Sequence, residues 1–300
     1  MSGIENRDQD LVLSYLDTLQ LERKLSDKTI QAYRTDLVIF FKLRKNGYNC
    51  LDELTRLDIE NFIACDFSSG SGMSTVCRRL SSISGFFRWL VANGFIGHDP
   101  TLGIEKPNRI RSLPQIMSEN DVESLLSTPD TNSSLGCRDR AFLELLYATG
   151  IRVSEACQVD RNALDLRAGF IRVMGKGNRE RIVPLGESAC YWLEIYLKKF
   201  RYLFPGSINR VIFPGRYGEY ISRQAAWHRV KIIGNRAGIQ CNISPHILRH
   251  AFATHLVNNG ADLRAVQLLL GHKDLSTTQI YTHVARARMK MLHSMYHPRG

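Results

Sequence analysis

Apolar residues recur at spacings of three and four through most of this chain, the period of helices that present one face to a core. Behind Ser26, a good N-cap, they fall at Ile30, Tyr33, Leu37 and Phe40 or Phe41, and Gly47 supplies the stop. From about Ser74 to Ala92 the pattern repeats with Val76, Leu80, Ile83, Phe87 and Leu90. TRLDIENFIACDF between them predicts a shorter helix, the polar run Ser68 to Gly72 a loop, and a further helix precedes Ser26. Four helices therefore predict a small bundle over residues 1–106. The stretch HDPTLGIEKPNRIRSLPQIM loses the period and holds Pro100, Pro107 and Pro114, the composition of a linker, placed at 107–117.

A second domain is expected over 118–300. Ser118 with Asp121 three positions on gives a capping-box start, and CRDRAFLELLYATG reads as an amphipathic helix stopped by Gly150. FIRVM and RERIVPL are β-branched runs on either side of GKGN, which predicts a hairpin or three-stranded antiparallel edge with Lys176 at its tip. Helical patterns resume at ESACYWLEIYLKKF, SRQAAWHRVKIIGNRAG and PHILRHAFATHLVNN. DLRAVQLLL should be closed by Gly271, and Ser276 with Gln279 should open a short helix bearing Tyr281. The fold class is mainly α, with a small antiparallel sheet in the second domain.

Charge sharpens this division. The chain of 300 residues carries a net charge of +11, which favours a polyanionic partner. Residues 1–107 hold 13 Lys+Arg against 14 Asp+Glu, a net of −1, so the remainder carries +12. Seven scattered cysteines without a CxxC pair suggest neither a disulfide framework nor a zinc site. No apolar run reaches the roughly 18 to 20 residues of a membrane span, and MSGIENRDQD is too polar for a signal peptide, so a soluble cytoplasmic protein without membrane attachment is expected.

The basic half also holds the candidate chemistry. His246, Arg249, His272 and Tyr281 lie within 36 residues, Arg152 sits upstream in ATGIRVSE, and Lys176 in GKGN. Two arginines can neutralise the non-bridging oxygens of a pentavalent phosphate, histidines can hydrogen-bond to it and move protons, and a tyrosine can form a covalent phosphoester. A lysine can protonate the departing oxygen. His246 and Arg249, three apart in a helical pattern, can share one face, and Pro245 puts His246 in a first turn whose free amides favour phosphate.

Each residue also has a plainer reading. His272 could be a favourable cation at a helix end, Tyr281 a half-buried core aromatic, Arg152 with Glu155 a surface salt bridge, and Lys176 a solvated hairpin tip. His250, four residues after His246, offers a zinc pair, but HILRH lacks the glutamate of HExxH and no third ligand is implied.

The joint pattern of ATGIRVSE, GKGNRER, SPHILRHAFATHL and LLGHKDLSTTQIYTH resembles the tyrosine recombinases, most of all their bacterial Xer type, over nearly the whole chain. The resemblance implies an N-terminal core-binding (SAM-like) domain and a catalytic domain that clamp double-stranded DNA. The implied catalytic set is Arg152, Lys176, His246, Arg249, His272 and the nucleophile Tyr281, with no metal and no cofactor. It further implies a cyclic heterotetramer with a XerC-like paralogue, a cell-division DNA translocase as partner, and resolution of chromosome or plasmid dimers at a dif-like site. The last helix, HVARARMKMLHSMYHPRG, would be donated to a neighbouring subunit. Arg179 and Arg181 near the hairpin, with Lys28, Arg34, Arg78, Arg79 and Arg223, are candidate phosphate contacts.

Alternatives of other kinds remain at this point. A phage, integron or transposon integrase would share all six residues, although the compact length and the ending HPRG favour the Xer type. Type IB topoisomerases share the chemistry. A helix-turn-helix regulator could read THLVNNGADLRAVQLLLGH as two helices around a glycine turn, but would leave Lys176 and Tyr281 without a purpose.

Overall fold

The computed structural model describes residues 6–23, 25–43, 51–105, 107, 117–175, 180–206, 210–241, 243–270 and 283–300. The chain divides into two compact units, residues 1–112 and 113–300.

In the first unit the helical period becomes α1 (Asn6–Leu21), α2 (Asp27–Leu43), α3 (Arg56–Ser68) and α4 (Met73–Ala92). Their apolar stripes meet in a core of Leu16, Leu37, Phe40, Ile59, Phe62, Ile83, Phe86 and Phe87. Phe40 turns ring edges toward Phe62 and Phe87, with centroids 5.2 and 5.9 Å apart, a preferred aromatic geometry. Thr55 caps α3, and the Asp58 carboxylate accepts its backbone N–H at 2.8 Å. The expected stop of α2 at Gly47 lies outside the described residues.

The second unit runs α5 (Glu119–Ser127), α6 (Ser134–Thr149), α7 (Val153–Cys157), strands β1 (Leu164–Asp165), β2 (Phe170–Met174) and β3 (Glu180–Pro184), then α8 (Glu187–Ile195). α9 (Arg223–Arg236), α10 (Pro245–Asn258), α11 (Leu263–Leu270) and α12 (His283–Tyr296) complete it. The three strands pair antiparallel in chain order, with Ile171 opposite Val183 and Val173 opposite Arg181. Serines 118, 133, 222 and 244 cap α5, α6, α9 and α10 through their hydroxyls. Among the described residues no helix is long and apolar enough to cross a membrane, and Cys65, Cys77, Cys137, Cys157, Cys190 and Cys241 are unpaired.

One expectation needs correction. α6 is not amphipathic: almost its whole surface is buried, including Asp139, Arg140 and Glu144. These charges survive burial because each has a partner, Asp139 with Arg138 and Arg229, and Glu144 with Arg140 and Arg299. α12 forms the tail that the family resemblance would give to a neighbour. Its last turns pack on their own domain: Met289 is buried in the core and Arg299 pairs with Glu144 and Glu123.

That packing rests on histidines the sequence reading passed over. His293 Nε2 donates to Ala148 O at 2.7 Å, His297 Nε2 to Tyr147 O at 3.2 Å, and the two rings stack at 4.6 Å. Burial first, then the charge of His293, holds His297 well below the ordinary value of 6.5. The folded chain thus keeps His297 neutral while the unfolded chain takes up a proton. Its contribution to stability is whole above pH 6.5 and drains as pH falls toward the folded value, by up to about 1.4 kcal/mol per pH unit. Urea midpoints of the wild type should accordingly drop from about pH 7.5 to about pH 5.5, and His297→Gln should flatten that dependence.

Candidate active site

The site is assembled at the end of α6. Gly150 ends that helix in the left-handed region at φ 57°, and its N–H donates to Leu146 O at 3.0 Å. A side chain there would collide with the Phe252 ring of α10, so glycine is required both by φ and by the close approach of the two helices. This junction sets Arg152 beside α10. Arg249 donates from α10 through Nη1 to Gly150 O, and through Nη2 to Leu270 O at 3.2 Å, tying the end of α6 to the end of α11.

Arg152 is the N-cap residue of α7, with its side chain 45% exposed. Glu155, one turn on, accepts the Arg152 backbone N–H at 2.8 Å and Arg152 Nη1 at 3.0 Å. The same carboxylate takes Arg181 from β3 in bidentate form, Nη1 to Oε1 at 2.9 Å and Nη2 to Oε2 at 2.7 Å. Burial would raise the Glu155 carboxyl, but the hydrogen bonds and charge of Arg181, helped by Arg152, outweigh it and hold the group below its usual range. It stays ionised.

Two guanidinium groups, those of Arg152 and Arg181, therefore bind one carboxylate, and Arg249, held on Gly150 O, lies within electrostatic reach of all three, so that three arginines and one glutamate leave two positive charges in excess. Burial, followed by the charges of Arg152 and Arg181, pushes Arg249 down to about 10, a cost that a bound anion would remove. His246 lies one turn before Arg249, exposed in the first turn of α10, which begins at Pro245 behind the Ser244 cap. The structure thus unites Arg152 with Arg249 and adds Glu155 and Arg181. Lys176, Arg179, His272 and Tyr281 lie outside the described residues. In sequence, Lys176 falls in the connection between paired β2 and β3, and His272 two residues beyond Leu270.

The expected DNA contacts separate into two groups. Lys28 and Arg223 are exposed, Arg34 half-buried. Arg78 is half-exposed and pairs with Asp36. Arg79 is 14% exposed and held by Asp66, Ser71 and Asp36, because two buried carboxylates need a cation. Arg181, at 8% exposed, is likewise a buried ion-pair partner and not a surface contact. Its signal was present in the strand period: the register puts residues 181 and 183 of β3 opposite buried Val173 and Ile171, on the core face.

Residues 115–288 match the Phage integrase family and residues 12–94 the Phage integrase, N-terminal SAM-like domain. The chain belongs to the tyrosine recombinase (phage integrase) family and is a site-specific recombinase acting on DNA. Its likeness is to the Xer type, and within it to XerD. The Tyrosine recombinase XerD of Pseudomonas putida is 48% identical, over 98% of this chain and 99% of that one. The protein of the same name from Listeria innocua is 44% identical over 97% and 99%. Among solved structures, XerH bound to a palindromic difH substrate, a post-cleavage complex, is 26% identical at a TM-score of 0.69, covering 98% of this chain and 90% of that one. A lambda integrase dimer on a COC′ core site, 19% identical over 91% and 97%, shares the fold at a TM-score of 0.69.

Proposed function

We propose that this recombinase resolves chromosome or plasmid dimers in the cytoplasm at a dif-like site, in a cyclic heterotetramer with a XerC-like paralogue and under a cell-division DNA translocase. Tyr281 attacks the scissile phosphorus, leaving a 3′-phosphotyrosyl link and a free 5′-hydroxyl. That hydroxyl then attacks the link on the partner duplex, so bond energy is retained and no ATP or metal is consumed. Arg152 and Arg249 take the non-bridging oxygens, His246 and His272 hydrogen-bond to the phosphate and move protons, and Lys176 protonates the leaving 5′-oxygen. Lys28, Arg34, Arg78, Arg179 and Arg223 are the proposed contacts along the backbone.

One observation carries this reading: two guanidinium groups held at the Gly150 junction with positive charge in excess, as a phosphorane of growing negative charge requires. Full-length likeness to XerD and likeness to XerH on a difH substrate support the choice of duplex. The regulator alternative loses its ground in the family match. The mobile-element alternative differs only in target. A plasmid with two dif-like sites, given the protein and its XerC-like paralogue, should be converted to two circles. Relaxation without exchange would instead favour topoisomerase activity.

Lys176 has its own test. An alkoxide leaves poorly near neutral pH, whereas a thiolate departs without help. Lys176→Ala should be slow on ordinary DNA and largely restored when sulfur replaces the scissile 5′-bridging oxygen. Equal slowness on both substrates would assign Lys176 to DNA binding or loop structure.

A further inference from the structure

We propose that Arg181 is a positioning residue for cleavage: it occupies the charge of Glu155 so that Arg152 and Arg249 remain available to the scissile phosphate. This rests on the phosphate role proposed above for those two arginines.

The strand register places Arg181 on the core face of β3, directly opposite buried Val173, where an aliphatic side chain would satisfy packing. Its two terminal nitrogens are both spent on Glu155, at 2.9 and 2.7 Å, while its buried Nε has no partner. A buried cation kept at that cost implies a requirement for its charge at this place.

Glu155 in turn is needed by the backbone, since it accepts the Arg152 N–H and so fixes the turn that presents Arg152. Without Arg181 the carboxylate would fall back on Arg152, which already donates to it through Nη1 at 3.0 Å. The excess of two positive charges would drop to one. Replacing Glu155 by an amide in the same protein would bring the excess back to two and release Arg152. Charge balance and backbone support therefore make opposite demands on Glu155, and Arg181 reconciles them.

The test uses the full chain on a nicked duplex that traps the covalent adduct, with DNA affinity and melting temperature measured alongside. Arg181→Met should melt as a folded protein, bind DNA within about twofold of the wild type and form adduct about 10²-fold more slowly at saturating DNA. Arg181→Met/Glu155→Gln should form adduct at least about tenfold faster than Arg181→Met, a gain that lost packing could not produce. A normal rate for Arg181→Met would overturn the proposal, as would weakened binding with a normal rate at saturation, which marks a DNA contact. A double variant no faster than the single one overturns it too. If Arg181→Met does not fold, Arg181→Lys and Arg181→Gln decide: Lys keeps the charge beside Glu155 and Gln does not, so a slowed rate for Arg181→Gln at unchanged affinity with a faster rate for Arg181→Lys supports the proposal, and equal rates for the two overturn it. Tyr281→Phe runs in parallel. An adduct from that variant would refute the phosphotyrosyl reading itself, whereas its silence beside a normal Arg181→Met refutes only the positioning role.

Discussion

Tyr281→Phe is expected to bind its duplex as the wild type does and to form no covalent adduct. The substitution removes one hydroxyl and leaves the ring, so whatever packing the side chain provides is retained while the nucleophile is lost. No neighbouring group should replace it, because in the proposed mechanism the arginines that would grip the phosphate cannot attack and the histidines would serve as its hydrogen-bond partners. The loss should therefore be complete at the detection limit of a gel assay for protein–DNA adducts, with equilibrium binding unchanged. An undiminished covalent band would remove Tyr281 from the mechanism.

The second large effect is expected at Arg152 and Arg249. Lysine preserves charge at either position, but a guanidinium offers a planar fork that an ammonium does not. Arg152 must reach its anion while Nη1 stays on Glu155, and Arg249 must do so while holding Gly150 O and Leu270 O. A lysine has one nitrogen, so its donors cannot span the separate positions that the two ends of a guanidinium fork reach. Each substitution should slow cleavage by roughly 10² or more, the scale of a lost transition-state donor. Arg249→Lys should also lower stability, because it unties the end of α6 from the end of α11. Adduct rates on a nicked duplex at saturating protein check this, and near-normal cleavage by both variants would count against the paired-cation role.

What the sequence made legible follows from how local each signal is. The starts of α3 and α5 could be read directly, because Thr55 with Asp58 and Ser118 with Asp121 close their caps within one turn. Gly150 likewise announces the end of α6, although its contact with Phe252 is visible only in the fold. The helical period failed at α6. Its polar positions look solvent-facing until their partners, Arg229 and Arg299, arrive from 90 and 155 residues away.

The same holds at the site. Arg152 and Arg249 could be named from motifs, yet the carboxylate that engages Arg152 and the second arginine on it emerge only when Arg181 of β3 meets Glu155 of α7. The tail shows the limit most clearly. Of its apolar residues Met289 is buried while Met291 and Met295 are exposed, and the helix is seated instead by His293 and His297 on carbonyls of Ala148 and Tyr147 that no side-chain pattern reveals.

The most direct test of the central claim is to locate the covalent bond. Wild-type protein trapped on a nicked dif-like duplex would be digested with nuclease and trypsin, and the modified peptide sequenced by mass spectrometry. The account predicts a nucleotide on the peptide DLSTTQIYTHVAR, residues 274–286, attached through the oxygen of Tyr281. A nucleotide on any other residue, or folded protein that binds the duplex and yields no adduct, would contradict it.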